Sequence, residues 1–471
     1  LNKLRQAVGA SDIISTTLAC DNSRCKVSFS RLVVNENTSD NLSVKSEKNW
    51  LAPIDKFNAI FSTSQTQFAS LFPEHSEVNQ SGLVQKPIDE EDYRKYIALY
   101  SEIKGRGNYS ADSLFQLEAL LTSSPYLYAA YALYRETASN LYLDSQNKKY
   151  FQKLDLLLKN SPPEYRYSMF EAIDRFWLAT GTGNINNARL QIIEALKRGA
   201  DDLTILQLEA FMFFKTGKYK EAAYSYSNAF KLRPSSSLLY NIAFSYWRMG
   251  DLDKSKSSLN RMLEIVPNSY IAKRLKANIW LLQGKLELAI SAYIQVVSTK
   301  TSGRDLTNLS LAYGLNEQYE KSLKYAELAV NLDPLNTIRR SNLADIEFIL
   351  GKTKSANRNY QRVIDAPLDK NKYRYWLDIA KAQLQLNEQK LAIEALNKAK
   401  HLAPDNGEVA YTSALIYSVL GEQVTAIFEV NKALVNNVGA VWFNLPWFDN
   451  LCPNKDFQHL MEKYKNSERC F

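Results

Sequence analysis

Residues 217–250 read GKYKEAAYSYSNAFKLRPSSSLLYNIAFSYWRMG. Gly217 sits at a turn, a helix-forming stretch follows with Ala222 near its start, and Pro234 closes it. A late proline stops a helix because it has no N–H to donate and its ring crowds the preceding turn. A second helix-forming stretch with a small residue in its middle then leads to another glycine, Gly250. The same pattern returns every 33 to 36 residues from about residue 169 to 438. Its turn positions are Gly183, Gly217, Gly250, Gly284, Gly351 and Gly421, with Glu317 and Asn387 in the two units that lack glycine. Its small positions are Ala188, Ala222, Ala289, Ala356, Ala392 and Ala426, with Ser255 and Ser322 in the other two. Most units close on proline: Pro234, Pro267, Pro334, Pro367 and Pro404. Glycine suits a left-handed turn, and a small residue where two helices cross lets their axes approach. A fixed period of this length predicts stacked helix pairs.

These residues resemble the tetratricopeptide repeat. GKYKEAAYSYSNAFKLRP and GKLELAISAYIQVV are similar to its second helix, and LYNIAFSYWRMG and LTNLSLAYGL to its first. The resemblance covers residues 169–438 in about eight units. The unit from 270 to 302 lacks the closing proline, and several first helices carry Leu in place of a large aromatic residue. The resemblance implies a mainly α fold, an α-solenoid of helix pairs each packed on its neighbours, with a concave groove lined by the first helices.

Working outward, residues 92–168 read as further, degenerate helical repeats, including SADSLFQLEALLTSSP and YLYAAYALYRETASNLYL. Residues 1–75 differ. ISTTLAC, KVSFSRLVV and NLSVKSEKNWL predict three strands, followed by an amphipathic helix with Phe57, Ile60, Phe61, Phe68 and Leu71 at helical spacing. This is a small α+β module. Residues 76–91, SEVNQSGLVQKPIDEE, read as a polar linker. Residues 439–471 read as a cap with a short helix, because a solenoid must shield its open end. The four cysteines lie in two local pairs, Cys20 with Cys25 and Cys452 with Cys470. Two local pairs predict disulfides and an extracytoplasmic, oxidising compartment, with four reduced thiols in a cytoplasmic protein as the alternative.

The 471 residues hold 58 Lys+Arg against 50 Asp+Glu, 45% apolar residues, 16 Gly and 13 Pro. That composition excludes a disordered chain. A net charge of +8 spread among acids gives no stripe for nucleic acid, and residues 1–90 hold nine basic and ten acidic residues. The first methionine is Met169, which we read as the mark of a piece of something longer, with any membrane anchor upstream. No run of about 18 apolar residues exists to span a membrane. The tail AVWFNLPWFDNLCPNKDFQHL, the hairpin-plus-helix module and the repeats together resemble the extracytoplasmic half of bacterial membrane receptors that carry a serine/threonine kinase or winged-helix DNA-binding domain.

Chemistry within this chain is poorly served. Kinase HRD and DFG motifs are absent, and KGRGNYS and GTGNINN sit at helical turns rather than between strands. No GxSxG or HExxH occurs, and His75, His401 and His459 lie in no ligand pattern. We expect no catalytic residue, no metal and no cofactor. Recognition is the expectation instead, with a protein or peptide ligand in the groove and self-association as a further mode. Asn241, Asn308 and Asn342 recur at equivalent places, and an amide can both donate to and accept from a peptide group. Tyr240, Phe244 and Trp247 share one helix face, with Phe211 and Phe214 in the preceding unit. Arg274, Arg304 and Arg374 are candidates to receive carboxylates. The functional expectation is a non-catalytic sensor or scaffold module of a membrane-bound signalling regulator. The alternatives are a cytosolic assembly scaffold or co-chaperone, and the non-catalytic part of a serine/threonine protein kinase.

Overall fold

The computed structural model describes residues 12–21, 23–35, 38–53, 63–64, 67–68, 70–71, 88–105, 107–145, 147–299, 301–367, 370–464 and 470. It forms two compact units, Leu1–Ser245 and Tyr246–Phe471.

The first unit opens with an antiparallel meander of β1 (Asp12–Cys20), β2 (Arg24–Asn35) and β3 (Thr38–Pro53) in that order. The strands contain the three β-branched stretches read from the sequence and extend beyond them. The register sets Cys20 opposite Cys25, and a disulfide joins the two. The turn between them is closed by Asp21, whose Oδ1 accepts from the backbone N–H of Ser23 and of Arg24, each at 2.7 Å. Those two bonds hold its carboxyl below the usual range. Cys25, Val27 and Ala52 are buried, as is Leu71. The Arg31 guanidinium donates to the Leu71 carbonyl at 3.2 Å, and the Ser46 hydroxyl donates to it at 3.1 Å. Phe29 sits edge-on to Trp50 and Phe68. Of the expected amphipathic helix, Thr63–Ser64 and Gln67–Phe68 are helical, while Phe57, Ile60 and Phe61 lie outside the described residues, as does 76–87 of the expected linker. The end of that linker is corrected. Glu90 and Glu91 open a helix, because Asp89 caps it by accepting from the N–H groups of Glu91 (2.9 Å) and Asp92 (3.1 Å).

Helices α1 (Glu90–Tyr100), α2 (Ala111–Ser123), α3 (Tyr128–Ser145), α4 (Lys149–Lys159) and the single turn α5 (Pro163–Arg166) follow. Eight helix pairs then run from Met169 to Val435. They are α6 (Met169–Gly181) with α7 (Ile185–Lys197), α8 (Asp202–Lys215) with α9 (Tyr219–Leu232), and α10 (Ser236–Met249) with α11 (Leu252–Ile265). Next come α12 (Tyr270–Leu282) with α13 (Leu286–Thr299), and α14 (Gly303–Leu315) with α15 (Tyr319–Leu332). The last three are α16 (Thr337–Ile349) with α17 (Thr353–Ile364), α18 (Tyr373–Gln385) with α19 (Gln389–Leu402), and α20 (Gly407–Val419) with α21 (Gln423–Val435). Two 3-10 turns (Ala440–Asn444 and Pro446–Leu451) and α22 (Lys455–Lys463) complete the chain, and Cys452 is bonded to Cys470. The boundary between the two compact units falls inside α10, where the repeat pattern gives no sign of a break.

The small residues read from the sequence lie at the helix crossings. Ala188, Ala222, Ala289, Ala356, Ala392 and Ala426 are 0% exposed, and so are Ser255 and Ser322. Between α14 and α15 both contributors are serines, and they solve the burial of two hydroxyls reciprocally. Ser322 donates to the Ser310 carbonyl and Ser310 to the Ser322 carbonyl, both at 2.8 Å. A buried hydroxyl left without a partner would cost about 1–3 kcal/mol.

The turns also follow the sequence. All eight turn residues take left-handed backbone angles, with φ from 70° to 85° at the six glycines, 56° at Glu317 and 63° at Asn387. Of these eight, Glu317 and Asn387 carry a Cβ in that region. Relief of a Cβ penalty of about 1–2 kcal/mol, offset by the greater freedom of glycine in the unfolded chain, predicts a net gain of about 0.5–1 kcal/mol for Glu317→Gly. Asn387→Gly should gain less, since Asn tolerates this conformation. Urea unfolding of the two variants checks the order.

Candidate functional site

The face presented by the first helices of the pairs is the candidate recognition surface, and its chemistry changes along the chain. In the first unit, α6 and α8 place Trp177 and Phe211 at the same repeat position, with ring centroids 4.4 Å apart. The next occupant of that position is Phe244 on α10. Phe214 stacks on Phe244 at 5.2 Å, and Phe244 on Tyr240 at 5.8 Å. Phe176 beneath them is fully buried, whereas Trp177, Phe211, Phe214, Tyr240 and Phe244 are half-buried. The Arg135 guanidinium from α3 lies 5.7 Å from the Trp177 ring centroid. It also donates to Asp174 Oδ1 at 2.6 Å, while the Tyr165 hydroxyl donates to Oδ2 at 2.5 Å. Burial pushes the Asp174 carboxyl up, and Arg135 opposes that push.

In the second unit the same register turns polar or aliphatic: Asn278, Leu311, Asp345, Lys381 and Leu415. Here the first-helix face carries a length of the chain itself. After α21, Gly439 and Leu445 adopt extended backbone (φ −63°, ψ 133° and φ −72°, ψ 149°), each leading into a 3-10 turn. This strap packs on first helices. A Cβ on Gly439 would stand 3.0 Å from Leu282 Cδ2, so the absent side chain lets the strap come close to the end of α12. Val441 is 1% exposed within a cluster that includes Leu281 of α12 and Leu309 of α14. The Trp447 ring lies 5.6 Å from Phe348 of α16. Phe443 and Phe448 close on Tyr411 of α20 at 5.6 and 5.8 Å. The Ser418 hydroxyl at the end of α20 donates to the Trp447 carbonyl at 2.8 Å, and Gln423 Nε2 donates to the Asn450 carbonyl at 3.0 Å. Residues 446–463 also cover the last pair, with Leu451 and Phe457 at 0% exposure in its core cluster. The sequence expectation of a cap on the open end is therefore corrected in part. Val441 lies in the cluster of α12 and α14, where it finds apolar surroundings, while Phe443 in the same turn stays with the core of the last pair, so the segment bridges from the open end to α12 and α14.

The candidate groove residues fall into different settings. Asn308 donates to Asn278 Oδ1 at 3.1 Å, and the same oxygen accepts from the Tyr293 hydroxyl at 2.5 Å, so this amide joins neighbouring first helices. Asn241 and Asn342 are half-buried, as is Trp247. Arg374 forks onto the carboxylate of Glu408, a pair joining α18 to α20. The Arg274 guanidinium lies 5.4 Å from the Tyr270 ring centroid, and Arg304 is exposed. The structure brings Tyr240 and Phe244 together with Phe214. Sequence reading missed Trp177, although its spacing of 34 residues from Phe211 was a usable signal.

Two acids on this side of the second unit were also missed. Asp345 Oδ1 accepts from the Tyr360 hydroxyl at 2.7 Å, and Asp378 Oδ2 accepts from Thr337 at 3.1 Å, with Lys381 Nζ 3.8 Å from Asp378. Burial pushes both carboxyls above their usual range, and Lys381 opposes the push on both.

Residues 240–303 and 341–407 match one family model described as tetratricopeptide repeat, and residues 306–334 match another of the same description. The matched segments are tetratricopeptide repeats. Among curated proteins, the chain is 25% identical over 235 residues to BBSome complex member BBS4 of Bos taurus, covering 49% of this chain and 44% of that one. It is 23% identical over 271 residues to Protein CTR9 homolog of Arabidopsis thaliana, covering 54% and 24%. The chain thus spans less than half the length of these relatives. A crystal structure of a tetratricopeptide repeat protein from Parabacteroides merdae aligns over 52% of this chain and 96% of that chain, at 17% identity and a TM-score of 0.43.

Two outcomes follow from this geometry. Truncating Phe448 to Ala removes a ring 1% exposed and should destabilise the repeat unit by about 3–5 kcal/mol in urea unfolding. The second concerns pH. Asp345 and Asp378 bind protons more tightly folded than unfolded. Their contribution is complete below the unfolded value of about 4 and is lost as pH rises through the raised folded values. Asp345→Asn keeps an acceptor for Tyr360 and removes this loss. Its melting temperature should match that of the native chain at pH 3.5 and exceed it at pH 7.5.

Proposed function

We propose that this chain is a non-catalytic protein- or peptide-recognition module that holds its ligand on the first-helix face of its tetratricopeptide repeats. The observation that carries this reading is the strap. In the second unit that face already holds a length of polypeptide through apolar side chains and a few bonds to backbone carbonyls, as a groove of stacked helices would hold a peptide. In the first unit Tyr240, Asn241 and Phe244, with Phe211 and Phe214, offer aromatic and amide groups for the same task. Asn308, Asn342, Trp247, Arg274, Arg304 and Arg374 belong to the unit that carries the strap, where Asn308 and Arg374 bond neighbouring first helices and the group frames the occupied face.

The finer reading is a sensor or scaffold module of a bacterial membrane-bound regulator, working outside the cytoplasm. Its support is the pair of local disulfides, Cys20–Cys25 and Cys452–Cys470. No helix among the described residues is long and apolar enough to cross a membrane. A scaffold for assembling other proteins inside the cell is the second reading, favoured by the relative described as a complex member.

Alkylation of the natively purified chain followed by intact mass separates the two. The extracytoplasmic reading predicts no modified thiol before reduction and four after it. Four thiols modified without reductant would favour the intracellular scaffold. Recognition itself is tested by capturing partners from the source organism with the native chain and with Tyr240→Ala/Asn241→Ala. A discrete partner held by the native chain should be lost from the double variant and kept by Leu190→Ala, a change at an exposed position on the second helix α7. Equal capture by all three would remove the assignment.

A further inference from the structure

The strap shows what chemistry one repeat position accepts, and the same position recurs where no strap runs among the described residues. Its neighbours Leu281, Phe348 and Ser418 stand at equivalent places on α12, α16 and α20, spaced by whole repeats. Followed back by whole repeats, that position is Trp247 and then Phe214 on α8. The adjoining position three residues earlier carries Trp177 and Phe211. We infer that the half-buried aromatic row Trp177–Phe211–Phe214 of the first unit is a docking surface for an extended, proline-containing segment of a partner protein with aromatic residues on either side of the proline. This deepens the recognition reading above and rests on it.

Three observations support that occupant. The strap's own sequence, VWFNLPWF, is such a segment, and Leu445 before Pro446 has polyproline-type backbone angles. Aromatic-lined grooves take such preformed segments at low ordering cost, since fixed φ leaves little entropy to lose. The guanidinium against these rings is also already paired. Arg135 lies by Trp177 and donates to one oxygen of Asp174, so its charge is paired and the row beside it presents ring faces and edges. The second unit replaces the row by Asn278, Asp345 and Lys381 and binds its segment in cis instead.

The test uses the full chain and a fluorescent synthetic peptide of residues 438–451 as the probe, read by anisotropy. Saturable binding is expected, weakened at least tenfold by Phe211→Ala and by Trp177→Leu, and at least tenfold by scrambling the peptide. Phe348→Ala, beside the strap, should leave it within twofold. Circular dichroism verifies that each variant remains helical, and Phe211→Leu, which keeps an apolar side chain of similar size, serves if Phe211→Ala unfolds. Absence of saturable binding overturns the inference, and so does loss of binding on Phe348→Ala with none on Phe211→Ala, which would mean that the peptide enters by displacing the strap. Should the peptide fail while Tyr240→Ala/Asn241→Ala still loses a captured partner, the ligand chemistry is wrong and the recognition reading stands.

Discussion

The fold depends on how closely the two helices of each pair can approach. At every crossing in the array the second helix contributes a residue with no exposed surface and almost no side chain, Ala six times and Ser twice. Close packing there fixes the angle at which the next pair must start, and the left-handed turn residue fixes the chain direction on the way back. A larger side chain at one crossing would push two helices apart and strain the core on both sides. The serine pair of α14 and α15 keeps the short distance with polar atoms by exchanging hydroxyl-to-carbonyl bonds. Within each compact unit successive first helices are thereby presented alike, so residues a whole repeat apart come to occupy equivalent positions. Trp177 and Phe211 are such a pair.

The consequence for function is a surface whose chemistry is written in repeat-length steps. In the first unit one step carries aromatic rings, and in the second the corresponding step carries Asn278, Asp345 and Lys381. The second unit fills its own face. Val441, Phe443 and Phe448 leave water, and full burial of each side chain is worth about 1.5–3 kcal/mol. A strap anchored by that much apolar surface, with α22 and a disulfide behind it, acts as a brace across the repeats. The half-buried Asp345 and the buried Asp378 work against stability at neutral pH, and Tyr360, Thr337 and Lys381 limit that cost.

The repeat architecture was legible in the sequence because it depends on residue classes that recur at fixed spacing. Glycine at the turn and alanine at the crossing gave the helix pairs, and even Glu317 and Asn387 were identified as turn residues, their left-handed angles being imposed by the helices on either side. The three strands were readable from β-branched composition. The strap's path was not readable. Nothing in AVWFNLPWF says which apolar surface it will find, since that surface is assembled from α12, α14, α16 and α20, spread along the chain from Tyr270 to Val419. For the same reason the Asn308 amide, chosen for its fitness to hold a peptide, turned out to be engaged by Asn278. Single-residue chemistry states what a side chain can bond, and packing decides what stands beside it.

The most direct check of the central claim, that the first-helix face of the second unit holds polypeptide, is amide hydrogen exchange of the strap in the full chain. The Trp442 and Phe448 amides, bonded to the Gly439 and Leu445 carbonyls, should exchange as slowly as amides in the middle of α20. Exchange at the rate of an unstructured peptide would mean that the strap does not occupy the face, and the account built on it would fail.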